Sequence, residues 1–121
     1  MVNINVAKYT LTWTEQVIAD NVAPDTDTAI PTENCSEILC CWDTNGADTG
    51  APDFDFHIEV DIDGTNYTDT HYATLASAVA KDVRGSALLT VPHRSIKARL
   101  DVNTANLAAA EDVTLYIYVF R

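Results

Sequence analysis

One segment of the chain limits the possible folds more than any other. Between Phe54 and Asp63, apolar side chains occupy every second position and polar or charged side chains fill the positions between them. A period of two places successive side chains on opposite faces of an extended backbone, which is typical of an antiparallel strand with one buried and one solvated face. The apolar set is Phe54, Phe56, Ile58, Val60 and Ile62, and the set predicted to face solvent is Asp55, His57, Glu59, Asp61 and Asp63.

Similar patterns predict further strands along the chain. Residues 2–6 and 9–14 alternate, residues 38–42 and 87–91 form short apolar runs, and residues 96–102 and 113–120 are two further strand candidates. The dipeptide Asp63-Gly64 fits a two-residue hairpin turn, which predicts a return strand over residues 65–72. Residues 20–34 contain two prolines and little apolar content, and they are predicted to be a loop.

Residues 73–83 are rich in alanine and carry a different spacing. Apolar side chains recur at intervals of three and four positions, and Gly85 follows them. They are Leu75, Ala76, Val79, Ala80 and Val83. This spacing predicts a short helix that ends near the glycine.

The number and spacing of the strands favour one architecture. About seven strands separated by turns, with one short helix, predict a mainly β fold, namely an antiparallel β-sandwich or a barrel. The chain has 121 residues, no internal repeat and no low-complexity segment, so residues 1–121 are expected to form a single domain.

The charge distribution restricts the possible partners. The formal net charge is −11, and residues 1–80 carry fourteen acidic side chains against the single cation Lys8. Nucleic-acid binding requires cations that neutralise phosphates, so no nucleic-acid partner is expected. No apolar run reaches the roughly 20 residues that cross a bilayer, and the first residues do not resemble a signal peptide. We therefore expect no membrane association and synthesis in the cytoplasm.

The sequence offers no pattern that is typical of catalysis. None of the four serines lies in a Gly-x-Ser-x-Gly motif, and no glycine-rich phosphate loop is present. The cysteines and histidines do not have the spacing of a structural zinc site, and the segment 59–64 lacks the later ligands of an EF-hand. We expect a non-enzymatic protein without a catalytic residue, cofactor or metal.

The last predicted strand is apolar or aromatic on both faces. Val113, Leu115, Ile117 and Val119 form one face, while Tyr116, Tyr118 and Phe120 form the other. One interpretation is a central strand that is buried on both sides. The alternative is a strand whose aromatic face contacts a neighbouring subunit, or whose edge pairs with another chain, since tyrosine is enriched at interfaces. The candidate interface residues are Tyr116, Tyr118, Phe120 and Arg121.

The three cysteines lie within seven positions. Because Cys35, Cys40 and Cys41 are three in number, they cannot all be paired within one chain. Two of them are adjacent, which is unfavourable geometry for a disulfide between them. Reduced thiols in the core are the default interpretation. Interchain bridges through these thiols are the alternative.

The C-terminal third of the chain resembles a known class of proteins. The segments 89–92, 96–104 and 113–117 are similar to the closing strands of small β-sandwich proteins in the virions of tailed phages, such as head-decoration (cement) proteins. The resemblance implies a homo-oligomer, often a trimer, that binds a major capsid or other virion protein and stabilises the shell. It also implies location in the virion, where the clustered thiols could form interchain bridges after lysis.

A second function of a different class is compatible with the same fold. A carbohydrate-binding or adhesin-like sandwich would need a platform of aromatic rings on which a sugar could stack. The candidate rings are Trp13, Trp42, Tyr67 and Tyr72.

Overall fold

Two antiparallel sheets form the fold, seen in a computed structural model that describes residues 5–35, 37–47, 52–63, 65–68, 72–91 and 94–121. In these ranges the chain forms nine strands and no helix. The strands are β1 (Val6–Gln16), β2 (Ala19–Val22), β3 (Ile30–Pro31), β4 (Glu37–Asp43), β5 (Asp53–Val60), β6 (Ala73–Ala80), β7 (Arg84–Thr90), β8 (Ser95–Asn103) and β9 (Leu107–Phe120).

The order of the strands defines a β-sandwich. Sheet A has the order β1-β9-β4-β7, and sheet B has the order β2-β8-β5-β6, with β3 also paired to β8. This arrangement confirms the predicted antiparallel sandwich. In the described part of the chain, no helix has the length and apolarity to span a membrane.

The core lies between the inner faces of the two sheets and is centred on three aromatic rings. The indole of Trp13 meets the Phe56 ring edge-on with centroids 6.3 Å apart, and the Trp42 ring stacks on Phe56 at 6.0 Å. Trp13 is wholly buried, and its Nε1 donates a hydrogen bond of 2.9 Å to the carbonyl of Val22, which satisfies its polar atom. Such pairs stabilise the contact between the sheets beyond simple apolar burial.

Most of the predicted strands are confirmed. The predicted segments 38–42, 96–102 and 113–120 lie within β4, β8 and β9. Strand β7 covers the predicted segment 87–91 except for its last residue, because β7 ends at Thr90. Strand β1 contains the predicted alternation of residues 9–14, while residues 2–4 lie outside the described residues.

The predicted helix over residues 73–83 is wrong, because this segment forms strand β6 and the turn that follows it. Ala73, Ala76 and Val79 pair with Ile58, Phe56 and Phe54, so every third residue of β6 lies opposite every second residue of β5. Two register shifts insert the extra residues, as β-bulges do. The bulges therefore convert a strand period of two into the three-residue spacing that imitates a helix.

Two connecting segments also differ from the prediction. The predicted loop 20–34 contains most of β2 and all of β3, both paired with β8. The predicted return strand 65–72 forms only in part among its described residues: a single bridge joins Asp61 to Tyr67, and the N–H groups of Thr68 and Tyr72 donate to the carbonyls of Val60 and Ile58. The Asp63 carboxylate accepts hydrogen bonds from the backbone N–H groups of Thr65 and Asn66, which stabilises the turn and lowers the pKa of Asp63. Gly64 and residues 69–71 lie outside the described residues.

The outward side of β5 is not solvated along its length, which corrects the prediction for three residues. His57, Glu59 and Asp61 expose only 6%, 5% and 8% of their surface. Burial of charge requires partners, and the guanidinium of Arg99 on β8 supplies one, since its Nε lies 3.4 Å from Glu59. Ile62, which was predicted to be in the core, is exposed because regular β5 ends at Val60.

The contact between Gly85 and Trp42 provides a test of the core. A Cβ atom at Gly85 would lie 2.5 Å from Cζ2 of Trp42, so Gly85→Ala must displace the ring that stacks on Phe56. We expect a loss of about 1–3 kcal/mol in the free energy of unfolding, measured by urea denaturation. Ser86→Ala on the outward side of the same strand is the control, with an expected change within about 0.5 kcal/mol. Equal stability of the two variants would contradict this packing.

Candidate protein-binding face

The outward face of sheet A carries an aromatic and apolar surface that crosses all four strands. The strand register aligns Lys8, Tyr118, Leu39 and Leu88 in one row and Thr10, Tyr116, Cys41 and Ser86 in the next. Val6 and Phe120 are paired beside the first row. We call this surface the aromatic face, and it consists of Val6, Lys8, Thr10, Leu39, Cys41, Ser86, Leu88, Tyr116, Tyr118 and Phe120.

Strand β9 produces this face through its alternation. Val113, Leu115, Ile117 and Val119 are wholly buried in the core, whereas Tyr116 and Tyr118 between them are half-buried. Several apolar side chains of the aromatic face remain in solvent: Leu88 is 61% exposed, Val6 51% and Phe120 37%. A contiguous exposed apolar patch is typical of an interaction site, which makes this surface the candidate.

The position of β9 separates the two interpretations of its aromatic side. The strand is central, because it is hydrogen-bonded to β1 on one side and to β4 on the other. The prediction that its edge could pair with another chain is therefore wrong. Its outward face is available instead, and contact of Tyr116, Tyr118 and Phe120 with another subunit stays a prediction.

Arg121, the fourth candidate interface residue, makes bonds within the chain. Its Nε and one terminal nitrogen donate to the carbonyls of Glu33 and Pro31 at 3.2 and 2.7 Å. Its backbone N–H and carbonyl pair with those of Asn5. These bonds fix the end of β9 to the β3 segment.

The aromatic face has little charge for a protein of net charge −11. Lys8 is the single charged side chain in its two central rows, and its Nζ lies 4.7 Å from the centroid of Tyr116 and 5.9 Å from that of Tyr118. A cation above an aromatic ring is attracted to the electron-rich face of the ring. At the far end of the sheet, the backbone N–H of Asn45 lowers the pKa of Asp43, and the Arg84 guanidinium at 3.1 Å lowers it further.

Two leucines of the aromatic face, exposed Leu88 and half-buried Leu39, were not identified from the sequence. Leu39 and Leu88 face each other across β4 and β7, and both lie in the short apolar runs that predicted these strands. A run without polar alternation gives a strand two apolar faces. That signal, already used for β9, could have found them.

The structure separates the three cysteines. Cys40 points into the core and is wholly buried, Cys35 is buried and its Sγ donates to the carbonyl of Glu37, and Cys41 is half-buried on the aromatic face. All three are free thiols. Burial and the neighbouring Cys41 raise the pKa of Cys40 to about 12. Cys41 is thus the one of the three that is placed on an outward surface.

The proposed sugar-stacking platform is not assembled. Trp13 is wholly buried, and Trp42 is half-buried with its ring stacked on Phe56, so both indoles belong to the core. The Tyr67 ring lies under the Lys97 ammonium at 4.5 Å, and its hydroxyl hydrogen-bonds Ser95 at 2.6 Å. Tyr72 is 39% exposed.

Comparison with known proteins relates the fold to several sandwiches. No family model matches the sequence, and no curated protein matches it significantly. The structure is similar to the CBM22-1 xylan-binding domain of Paenibacillus barcinonensis Xyn10C, with a TM-score of 0.53, 12% identity and coverage of 98% of this chain and 80% of that one. The sugar-binding EclA C-terminal domain has a TM-score of 0.50 and 7% identity, with 100% and 80% covered.

A prophage protein has the same architecture. The SPBc2 prophage-derived protein YomS aligns with a TM-score of 0.50 and 9% identity over 100% of this chain and 99% of that one. At such low identities these likenesses show a shared β-sandwich fold and nothing more.

The different surroundings of the thiols lead to a test. Because the thiolate is the reactive form, Cys40, with a pKa of about 12, should resist iodoacetamide in the folded protein. We expect Cys41 to be alkylated first, and Cys35 and Cys40 to react only after unfolding in urea. Peptide mass spectrometry of native and denatured samples distinguishes the sites. Alkylation of Cys40 at the rate of Cys41 in the native protein would contradict the assignment.

Proposed function

We propose that this protein is a non-enzymatic assembly protein, which associates with copies of itself through the aromatic face and acts as an accessory component of a virion shell. The observation that carries the proposal is the aromatic face itself. It combines tyrosine, phenylalanine, leucine and valine side chains from four adjacent strands on one rigid sheet. Aromatic side chains on a fixed scaffold give large contact area at low cost in conformational entropy.

The charge of the chain supports self-association through this face. Two copies that each carry −11 repel one another wherever acidic surfaces meet. The two central rows of the aromatic face carry Lys8 and no acidic side chain, so contact here brings together little negative charge. Exposed Leu88 and Phe120 would lose solvent contact in the same step.

The fold alone does not choose between assembly and carbohydrate binding. The similar structures include a prophage-derived protein and two sugar-binding domains, all with the same architecture. The placement of the aromatic residues favours assembly, because Trp13 and Trp42 are used in the core while the tyrosines of β9 face outward. A virion role further rests on the resemblance of the closing strands to decoration proteins.

Substitution of one exposed leucine tests the proposal. Leu88→Glu places a charge in the first row of the aromatic face, where burial of an unpaired carboxylate is costly. We expect the wild type to form a discrete oligomer and Leu88→Glu to raise the dissociation constant at least about hundredfold, since burying an unpaired charge costs several kcal/mol. Size-exclusion chromatography with light scattering, over a range of concentrations, measures the change.

Val17→Glu is the matched control. Val17 is 67% exposed and lies between β1 and β2, outside the aromatic face, so this variant also replaces an exposed apolar side chain by a carboxylate. We expect it to associate like the wild type. A wild-type protein that stays monomeric at all concentrations would overturn the proposed self-association, as would equal weakening by the two variants.

A further inference from the structure

The outward face of sheet B brings together three metal-ligating side chains that are far apart in the sequence. Asp55 and His57 lie two residues apart on β5, and Asp101 lies on the neighbouring strand β8, directly opposite Asp55. One ligand atom of each side chain lies within 4.8 Å of the other two. His57 exposes only 6% of its surface. The central ligand of the group is therefore an enclosed imidazole and not a surface carboxylate.

Each of the three side chains is oriented by a hydrogen bond from outside the group. The Nδ1 atom of His57 lies 2.9 Å from the hydroxyl of Thr74. One carboxylate oxygen of Asp55 accepts the N–H of Ala78 at 2.6 Å, and one of Asp101 accepts the N–H of Asn21 at 2.8 Å. Metal ligands in proteins are held in this manner, with one atom bonded to a supporting group and the other directed to the ion.

The ligand atoms of the three side chains lie close to one another. Nε2 of His57 lies 2.9 Å from the second oxygen of Asp101, and the second oxygen of Asp55 accepts no hydrogen bond from the described residues. Carboxylates directly opposite each other on paired strands repel. The nearest strand neighbour with a positive charge, Arg99, directs its guanidinium to Asp27 at 2.9 Å and to Glu59 at 3.4 Å.

We propose that Asp55, His57 and Asp101 bind a divalent transition-metal ion of the Zn²⁺ class. One imidazole nitrogen and two carboxylate oxygens suit Zn²⁺, whereas Ca²⁺ and Mg²⁺ prefer oxygen ligands alone. The bound ion would replace the hydrogen bond between His57 and Asp101. Its positive charge would offset the negative charges of the Asp55 and Asp101 carboxylates. Since the supporting groups Thr74 and Ala78 belong to β6 and Asn21 to β2, the ion would tie together four of the five strands of sheet B, namely β2, β8, β5 and β6.

Zinc titration of variants tests the site. Asp55→Asn retains an oxygen that can accept from Ala78 but removes the anionic ligand, so the fold is preserved and the affinity falls. Isothermal titration calorimetry of EDTA-treated protein, in a Cys41→Ser background that removes the thiol on the aromatic face, should show one Zn²⁺ per chain. We expect Asp55→Asn to weaken binding at least about tenfold, which is the scale seen when a site loses part of its ligand support.

Glu37→Gln is the control, because it removes one exposed acidic charge on sheet A. We expect it to bind Zn²⁺ like the parent protein. Equal affinities of Asp55→Asn and the parent would overturn the proposal, as would equal weakening by Glu37→Gln, since either result indicates only diffuse attraction of cations to acidic surface. Binding of Ca²⁺ with the affinity of Zn²⁺ would also overturn it.

A spectroscopic measurement identifies the ligand atom. Long-range proton–nitrogen correlation spectra resolve the two ring nitrogens of each histidine, so coordination at His57 is read directly. We expect one equivalent of Zn²⁺ to shift the Nε2 resonance of His57, while Nδ1 keeps the bond to Thr74. Saturating Zn²⁺ that leaves the His57 resonances unchanged would show that the ion binds elsewhere.

Discussion

The structure depends on the alternation of β9 as the central strand of sheet A. Its four inward aliphatic side chains fill the core, and because the period is two, the aromatic side chains between them must point away from it. A slip of one residue would place tyrosine hydroxyls in the core and valines in solvent. Burial of Val113 to Val119 on one side therefore fixes the exposure of Tyr116 and Tyr118 on the other.

The two outward faces of the sandwich are used in different ways. Sheet B pairs several of its charges within the chain: Arg99 binds the Asp27 carboxylate through both terminal nitrogens and also reaches Glu59, while Lys97 covers Tyr67. These contacts satisfy polar groups within the chain. Sheet A leaves apolar side chains such as Leu88 in solvent. The two central rows of the aromatic face, where Lys8 is the single charged side chain, are therefore the proposed place for contact with another protein.

Much of this arrangement could be read from the sequence, and the failures have physical causes. Regular alternation identified β1 and β5, because burial of one sheet face imposes it, and the two apolar faces of residues 113–120 identified β9. The helix predicted over residues 73–83 failed because bulges in β6 stretched the spacing to three residues. Asp55 and His57 lie close to Asp101 because β5 pairs with β8. No local sequence pattern specifies which distant strand becomes a neighbour, so this cluster could not be predicted. The aromatic face was partly predicted, since β9 showed its two apolar sides directly.

The central claim is that the aromatic face becomes covered when copies of the chain associate. Hydroxyl-radical footprinting at concentrations below and above the association midpoint tests it most directly, because it reports the solvent exposure of individual side chains. The account predicts that oxidation of Tyr116, Tyr118 and Leu88 falls severalfold on association, while exposed Ile62 on the other sheet is oxidised equally in both states. Protection of Ile62 with unchanged oxidation of the two tyrosines would contradict it.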